Sequence, residues 1–371
     1  VGLTDVLPLF FDEQSTQNLV KGLKPTGEIN DLFIKHHNGE LAVVTQFSEV
    51  NSQFYQGIPG IDNVSGQAIF SRSNLHLSLS ANEGALNFDK HFIAPIKYNS
   101  LTSKLGVSFT EQGWHLTADQ IDFSSDELNI TAELFVEQQK DQDITMSLLA
   151  SASDGDAAFA QTFYPQLLMG ENLVNYLNSA LVKGKLEQAQ VLFNGPLSKF
   201  PFNNNEGIFV VDAELSNSTF KFDQDWPAIN HFNANLNFTN NEMLITGRSG
   251  SLSGIDVQGV EAAIANLTDE QILTVDTNFV DTAPELVTNL MNISPLADSV
   301  GTTLEQVVID NNIAGQFNLT VPLKNSSQAV AKGSVIFKDN NVSLNSPEMH
   351  FSKVNGRLLF ENDLLKTEDL Q

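Results

Sequence analysis

The sequence predicts a mainly β, antiparallel fold with a few short amphipathic helices inserted, and three observations predict it. Apolar and polar residues alternate along much of the chain, strand-length runs are separated by short polar turns, and one strand with its turn occurs three times. A period of two puts side chains on one face of a strand, because successive Cβ atoms point to opposite sides of a sheet. Short, closely spaced strands favour antiparallel pairing.

The repeat begins at Ile58-Pro59-Gly60-Ile61-Asp62-Asn63-Val64 and continues to Phe70. It returns from Trp226-Pro227 to Phe238 and again from Phe351 to Phe360. Aligned, Val64, Phe232 and Val354 coincide, then Gly66, Ala234 and Gly356, then Ala68, Leu236 and Leu358, then Phe70, Phe238 and Phe360. Five residues beyond each aromatic stands another apolar residue, Leu75, Met243 or Leu365, across a polar stretch that reads as a turn. The repeated unit is therefore a β-hairpin. The copies lie unequally and much further apart than the ~20–50 residues of a solenoid repeat, so other strands separate them.

Taken in order, Asp12 to Leu23 reads as a short helix, stopped near Gly22 with Pro25 and Gly27 as breakers. A β-meander follows: Gly27 to Ile34, Leu41 to Phe47, Gly66 to Phe70, Leu75 to Leu79, Leu105 to Phe109, Trp114 to Ala118, Leu128 to Phe135 and Ile144 to Ala150. Between Asp154 and Lys183 apolar groups recur at steps of three and four, which predicts one or two amphipathic helices with Gly184 as the C-terminal stop. Strands resume at Leu186 to Phe193, Gly207 to Leu215, Thr219 to Phe222, Ala234 to Phe238, Met243 to Gly247, Ile255 to Ile264 and Gln271 to Phe279. Helical spacing returns at Ala283 to Met291 and Pro295 to Val300, then strands at Val307 to Ile309, Gly315 to Val321, Gly333 to Phe337, Val342 to Leu344 and Gly356 to Phe360. Leu186 to Leu197 resembles Ile313 to Leu323: both end in Pro-Leu, and both precede a Gly-led strand and then the hairpin. The expected divisions are residues 1–153, 154–280 and 281–371, joined as one continuous elongated unit. The start at Val1 and the stop at Gln371 just after a hairpin suggest a piece of something longer.

Composition narrows the function. With 19 Lys+Arg against 45 Asp+Glu, the net charge of -26 argues against nucleic acid, which needs cationic side chains to release counterions. It equally disfavours a broad electrostatic contact with anionic lipid headgroups. The absence of cysteine excludes disulfides, thiolate catalysis and Cys-based zinc sites. Phe is abundant, 26 residues against 4 Tyr and 2 Trp, and Phe supplies apolar surface without a hydrogen-bonding handle. An enzyme cleft would use more polar groups.

The candidates for chemistry are weak. His36-His37 precede an Asn38-Gly39 turn, and neighbours on a strand face opposite ways, so they cannot jointly chelate a metal. Asp154-Gly155-Asp156 lacks the twelve-residue calcium-loop pattern and reads better as a helix cap. Asp122, Asp126 and Glu127 could be imagined as a glycosidase carboxylate pair, but nothing in their spacing fixes one. Gly247 to Gly254 is turn material rather than a nucleophile elbow. No catalytic residue, metal site or cofactor is expected.

Several phrases in order resemble the periplasmic part of the AsmA-like family: Phe47-Ser48-Glu49-Val50, Gln56 to Gly66, Tyr164-Pro165 to Gly184, Leu192 to Leu197 with Phe200-Pro201-Phe202, and Trp226-Pro227. The resemblance covers most of Leu41 to Phe238 and continues more weakly to the end. It implies an elongated, curved antiparallel sheet forming an open groove, in a bridge-like lipid transport protein of the Gram-negative periplasm. It also implies phospholipids as cargo moving between inner and outer membranes, an inner-membrane anchor through a transmembrane helix outside this chain, possible outer-membrane or periplasmic partners, and a role in the outer-membrane barrier.

A Phe-rich alternating face without a catalytic constellation suits such a groove. The expected wall residues are Leu77, Leu79, Phe109, Phe193, Phe209, Val211, Phe220, Phe222, Phe238, Phe317, Phe337 and Phe360. The same alternation also describes the core of a closed β-sandwich, and a structural or adhesive envelope module without transport is the competing reading.

Overall fold

The computed structural model describes residues 14–269, 271–362 and 364–371. Asp12 and Glu13, at the start of the expected first helix, lie outside these; the described helix is α1 (Gln14–Leu23). Among the described residues, twenty-one strands are hydrogen-bonded into one sheet rather than the two sheets of a sandwich, in antiparallel pairs from β1 (Thr26–His37) with β2 (Glu40–Asn51) onwards. The chain divides into two units, one running to Val174 and including Gln188–Val211, the other comprising Asn175–Glu187 and Asp212–Gln371.

The first unit is the meander of β2, β3 (Gly60–Ile61), β4 (Val64–Ser71), β5 (Asn74–Asn87), β6 (Ile96–Thr110), β7 (Gly113–Ser124), β8 (Asn129–Gln139) and β9 (Thr145–Asp156), following β1. Register sorts its residues into two faces, because directly opposed residues point to the same side. Ala68, Leu77, Leu105, Ala118, Leu134 and Leu148 form one cross-strand row, and Val64, Ala81, Leu101, Phe123, Ile130 and Ala152 a second on the same face. On the other face, Ser65, Ser80, Thr102, Asp122, Thr131 and Ser151 make a row that is polar throughout. A bulge in β7 at the exposed Asp119 and Gln120 keeps Ala118 and Ile121 on the apolar side although they are three apart in sequence.

Between β9 and β10 (Leu181–Pro196) lie a 3-10 turn (Ala157–Phe163), α2 (Gln166–Met169) and α3 (Glu171–Ala180). Asp156 Oδ1 accepts the Ala158 N–H at 2.9 Å and caps that turn. The helix ends earlier than its sequence period suggests. Ala180 is fully buried and its carbonyl accepts the Lys221 N–H at 2.7 Å, so Leu181 and Val182 are already strand. Gly184 is thus not a helix stop. It sits within β10 at φ +145, where a Cβ would come 2.5 Å from that of Ser218, so glycine permits this approach to β11 (Ile208–Phe220).

The second unit continues with β12 (Ile229–Thr239), β13 (Glu242–Leu252), β14 (Ile255–Asp256), β15 (Glu261–Ile264), β16 (Ile272–Thr282), α4 (Pro284–Asn292), a π turn (Ala297–Gly301), α5 (Thr302–Leu304), β17 (Val307–Ile309), β18 (Ile313–Pro322), β19 (Val330–Asn345), β20 (Glu348–Glu361) and β21 (Leu364–Glu368). The stretches expected as separate strands at Gly207 to Leu215 and Thr219 to Phe222 merge into one strand, β11, carried through a left-handed residue at Asn217 (φ 44) and ending at Phe220, so that Phe222 lies beyond it. Ile255 to Ile264 is instead two strands, because the chain turns at Gly259 (φ 79). Both Pro-Leu strands, β10 and β18, end on their proline.

The three hairpins pair as their spacing predicts: Phe70 opposes Leu75, Phe238 opposes Met243, and Phe360 opposes Leu365. Each turn opens on a left-handed residue, Arg72, Asn240 or Asn362. A further left-handed residue stands immediately before each repeated strand series, at Asn63, His231 and Lys353, and the small apolar-face position two residues into each series is Gly66, Ala234 or Gly356.

Candidate functional site

Among the described residues no group of three or more His, Cys, Asp or Glu side chains is placed to hold a metal ion. Asp122 on β7 accepts from Gln120 at 2.7 Å, and Asp126 in the bend after β7 accepts from Asn99 at 2.8 Å, so each is held by a polar neighbour. His36 and His37 are exposed and oppose Leu41 and Glu40 beside the left-handed turn at Asn38 and Gly39. What the sheet does assemble is apolar surface.

In the first unit Val64, Ala81, Ile96, Tyr98, Leu101 and Phe123 form a buried core with Phe47, Leu79, Phe88, Phe92 and Phe163 packed on it. Tyr98 meets Phe123 edge-on at 6.2 Å, and Phe123 meets Phe163 at 6.4 Å. The Tyr98 hydroxyl donates to the Asp62 carbonyl. Burial, with the Asp62 charge adding, pushes its phenol up to about 12, and burial alone does the same to Tyr164. Away from this core the apolar face is only half covered: Leu77, Leu105, Leu134 and Leu148 are partly exposed, and Phe109 is 50% exposed.

Of the expected wall residues, Leu77, Leu79 and Phe109 thus share the apolar face of β5 and β6. Phe193 and Phe209 meet at 6.3 Å in a knot of rings with Phe200 and Phe202, which alternation alone did not single out. The Phe-Pro-Phe phrase that carries Phe200 and Phe202 was the available signal. Val211 is half-buried at the end of this unit.

In the second unit, Phe238, Met243, Ile264, Leu273 and Val321 form one apolar row, and Leu236, Ile245, Ala262, Val275, Leu319 and Ala331 another. Phe220 and Phe222 are buried, packed in tilted ring contacts against Phe232 at 5.9 Å and Trp226 at 5.6 Å. They border a void of about 100 Å³. Further along the same face a much larger cavity, about 770 Å³, is lined by Phe317, Phe337 and Phe360 together with Phe279, Val335, Phe351 and Leu358. Among the described residues no Asp, Glu, Lys or Arg lines it, although the chain carries 45 acidic residues, and His350 is its one titratable side chain.

Two features shape this cavity. Gly333 lies between Phe317 on β18 and Phe360 on β20, whose rings are 6.3 Å apart, and the Phe360 ring comes within 2.6 Å of where a Cβ would stand. The missing side chain lets the two aromatics lean over the strand between them. The helical segment covers one side: Val287, Met291, Val300, Thr303 and Leu304 line the cavity opposite the sheet residues. Helical spacing in the sequence located this segment but not its packing partner.

Such a surface can hold a long apolar chain and offers few hydrogen bonds to fix one in register. No helix among the described residues is long and apolar enough to cross a membrane. The family model described as "YhdP protein" matches residues 2–371. The chain is also 25% identical over 353 residues to "Intermembrane phospholipid transporter YhdP" of Escherichia coli (strain K12). That alignment covers 94% of this chain and 28% of the relative, so the chain spans under a third of the curated protein's length.

Proposed function

Because the chain belongs to the YhdP family, we propose that it is a periplasmic segment of a bridge-like phospholipid transporter, holding acyl chains on the apolar face of its sheet while headgroups remain in water. In this reading the whole protein is anchored in the inner membrane, passes phospholipid between inner and outer membranes and so maintains the outer-membrane barrier. The observation that carries it is the 770 Å³ cavity, lined among the described residues by no Asp, Glu, Lys or Arg and placed on the face where Phe317, Phe337 and Phe360 recur. Support also comes from the relative, whose description is an intermembrane phospholipid transporter.

The physics suits flow. Each buried methylene of a lipid contributes roughly 0.8 kcal/mol, so even a partly covered chain is held, while the scarcity of polar contacts leaves it free to slide. Leu77, Leu79, Phe109, Phe317, Phe337 and Phe360 act as wall. Phe193 and Phe209 in the first unit, and Phe220, Phe222 and Phe238 in the second, pack among other apolar side chains and stiffen the sheet of their own unit; Val211, half-buried, belongs with the wall of the first.

The test is purification without detergent followed by mass spectrometry of the organic extract. Near-stoichiometric phospholipid of mixed headgroup type is the expected result. A protein that folds, carries no lipid and takes none up from vesicles would leave a structural envelope module as the better reading.

A further inference from the structure

The 100 Å³ void and the 770 Å³ cavity share four lining residues: Val287 and Met291 on α4, and Phe279 and Phe317 on β16 and β18. One layer of side chains therefore separates them. On the far side of that layer the face is filled, with Phe232 and Ile245 both almost fully buried; on the near side it is open enough for a ligand. We infer that α4 is the end wall of an acyl-chain slot, and that Met291 and Val287 set the length of chain the second unit accepts. This rests on the proposed lipid binding and adds a selectivity to it.

The wall is held at both ends of α4. Pro284 starts α4 with a fixed φ, Leu290 and Met291 are its buried residues, and Asn292 at its end donates to Glu305 at 2.9 Å. Gly301 in the following π turn lies so close to Asn292 that a Cβ would stand 2.5 Å from the Asn292 Oδ1. The segment is thus folded back on itself, and the side chains at its foot define where the tail of a resting chain stops; passage along the face then requires these side chains to give way. Removing the outer atoms of Met291 would join the void to the cavity and lengthen the slot by about two methylenes, each changing affinity about fourfold.

The experiment uses the protein with saturated phosphatidylglycerols of graded chain length, from 12 to 20 carbons, competing in equimolar mixture, with bound lipid identified by mass spectrometry. Met291→Ala and the milder Val287→Ala should both move the preferred length up by about two carbons, roughly a sixteenfold change in the ratio of long to short chains. Val287→Phe should move it down. Thermal melts of each variant separate misfolding from altered selection, and Val287→Ala, at a half-buried site, keeps the test open if Met291→Ala does not fold. Lipid bound with an unchanged length profile in the folded variants overturns the end-wall inference and leaves lipid binding standing. No lipid bound by the unaltered protein overturns the binding reading itself.

Discussion

The Glu49 amide donates to Ser65 Oγ at 3.1 Å, and the same contact recurs in each copy of the hairpin repeat. Asn217 N–H reaches Asn233 Oδ1 at 2.8 Å and Asp339 N–H reaches Asn355 Oδ1 at 3.1 Å. In all three the donor is a left-handed residue on the preceding strand, and the acceptor directly follows the first apolar residue of the repeated series. A bulge frees an amide from the ladder, and the neighbouring side chain takes it up. The repeat therefore carries a polar latch on one face and an apolar series on the other.

Loss of a latch should cost stability in proportion to burial. Asn233→Ala, at a half-buried site where the side chain also donates to Ser249 at 2.7 Å, is expected to destabilise by about 1–2 kcal/mol, and Asn355→Ala, which is exposed, by less than about 1 kcal/mol. Urea unfolding of the single variants measures this. Equal, negligible effects would mean that water replaces the side chain at every bulge.

Gly333→Ala should be more damaging than its size suggests. The new methyl would meet the Gln316 carbonyl oxygen at 2.1 Å and the Phe360 ring at 2.6 Å, so either the strand spacing or the ring must move. Overpacking of this kind costs typically about 1–3 kcal/mol. If the cost comes from the ring alone, the double change Gly333→Ala with Phe360→Leu should recover much of the loss in Tm. No recovery would place the strain in the backbone.

The hairpins were legible because their signal is local: a period of two, a polar turn, and an apolar partner at a fixed offset, as with Phe70 and Leu75. The bulges were not. Left-handed conformation at Glu49 and Lys353 falls on residues with no strong preference for it, so there it is imposed by pairing rather than by local propensity. Gly184 misled for the related reason that a glycine after an amphipathic run looks like a helix stop, whereas here it serves a close approach to Ser218. Likewise the helical spacing at Ala283 to Met291 revealed a helix with an apolar side, but only packing puts Val287 and Met291 beside Phe279 and Phe317.

Alkaline stability should depend on Tyr98. Its folded phenol is raised from the usual 10 to about 12, so between these values the folded state holds a proton that the unfolded state has lost. The resulting contribution is full below about pH 10 and disappears as pH rises through about 12. Tyr98→Phe should be less stable at neutral pH, having lost the hydrogen bond to Asp62, yet should lose stability less steeply across that window. Adding Tyr164→Phe, whose phenol is raised in the same way, should flatten the decline further. Denaturant unfolding at about pH 9 and about pH 11 distinguishes the slopes; identical slopes would show that neither phenol resists ionisation in the fold.

A charge placed in the cavity tests the groove with little cost to the fold. Phe351 lines the 770 Å³ cavity but is 42% exposed, so Phe351→Asp forfeits only part of a buried ring and leaves its carboxylate within reach of water. An acyl chain lying there would have to strip that carboxylate of water, which costs far more than the chain gains from a few methylenes. Lipid occupancy of the variant, measured in the extract of protein purified beside the unaltered chain, should therefore fall several-fold with Tm nearly unchanged. Phe135→Asp is the matched control: that residue is 37% exposed on the opposite face of its strand pair, in register with Thr117 and Ser147, and its replacement should leave occupancy as it was. If both variants lose lipid equally, charge is acting at long range and the cavity is not where the chains lie; if neither does, Phe351 is not part of the wall.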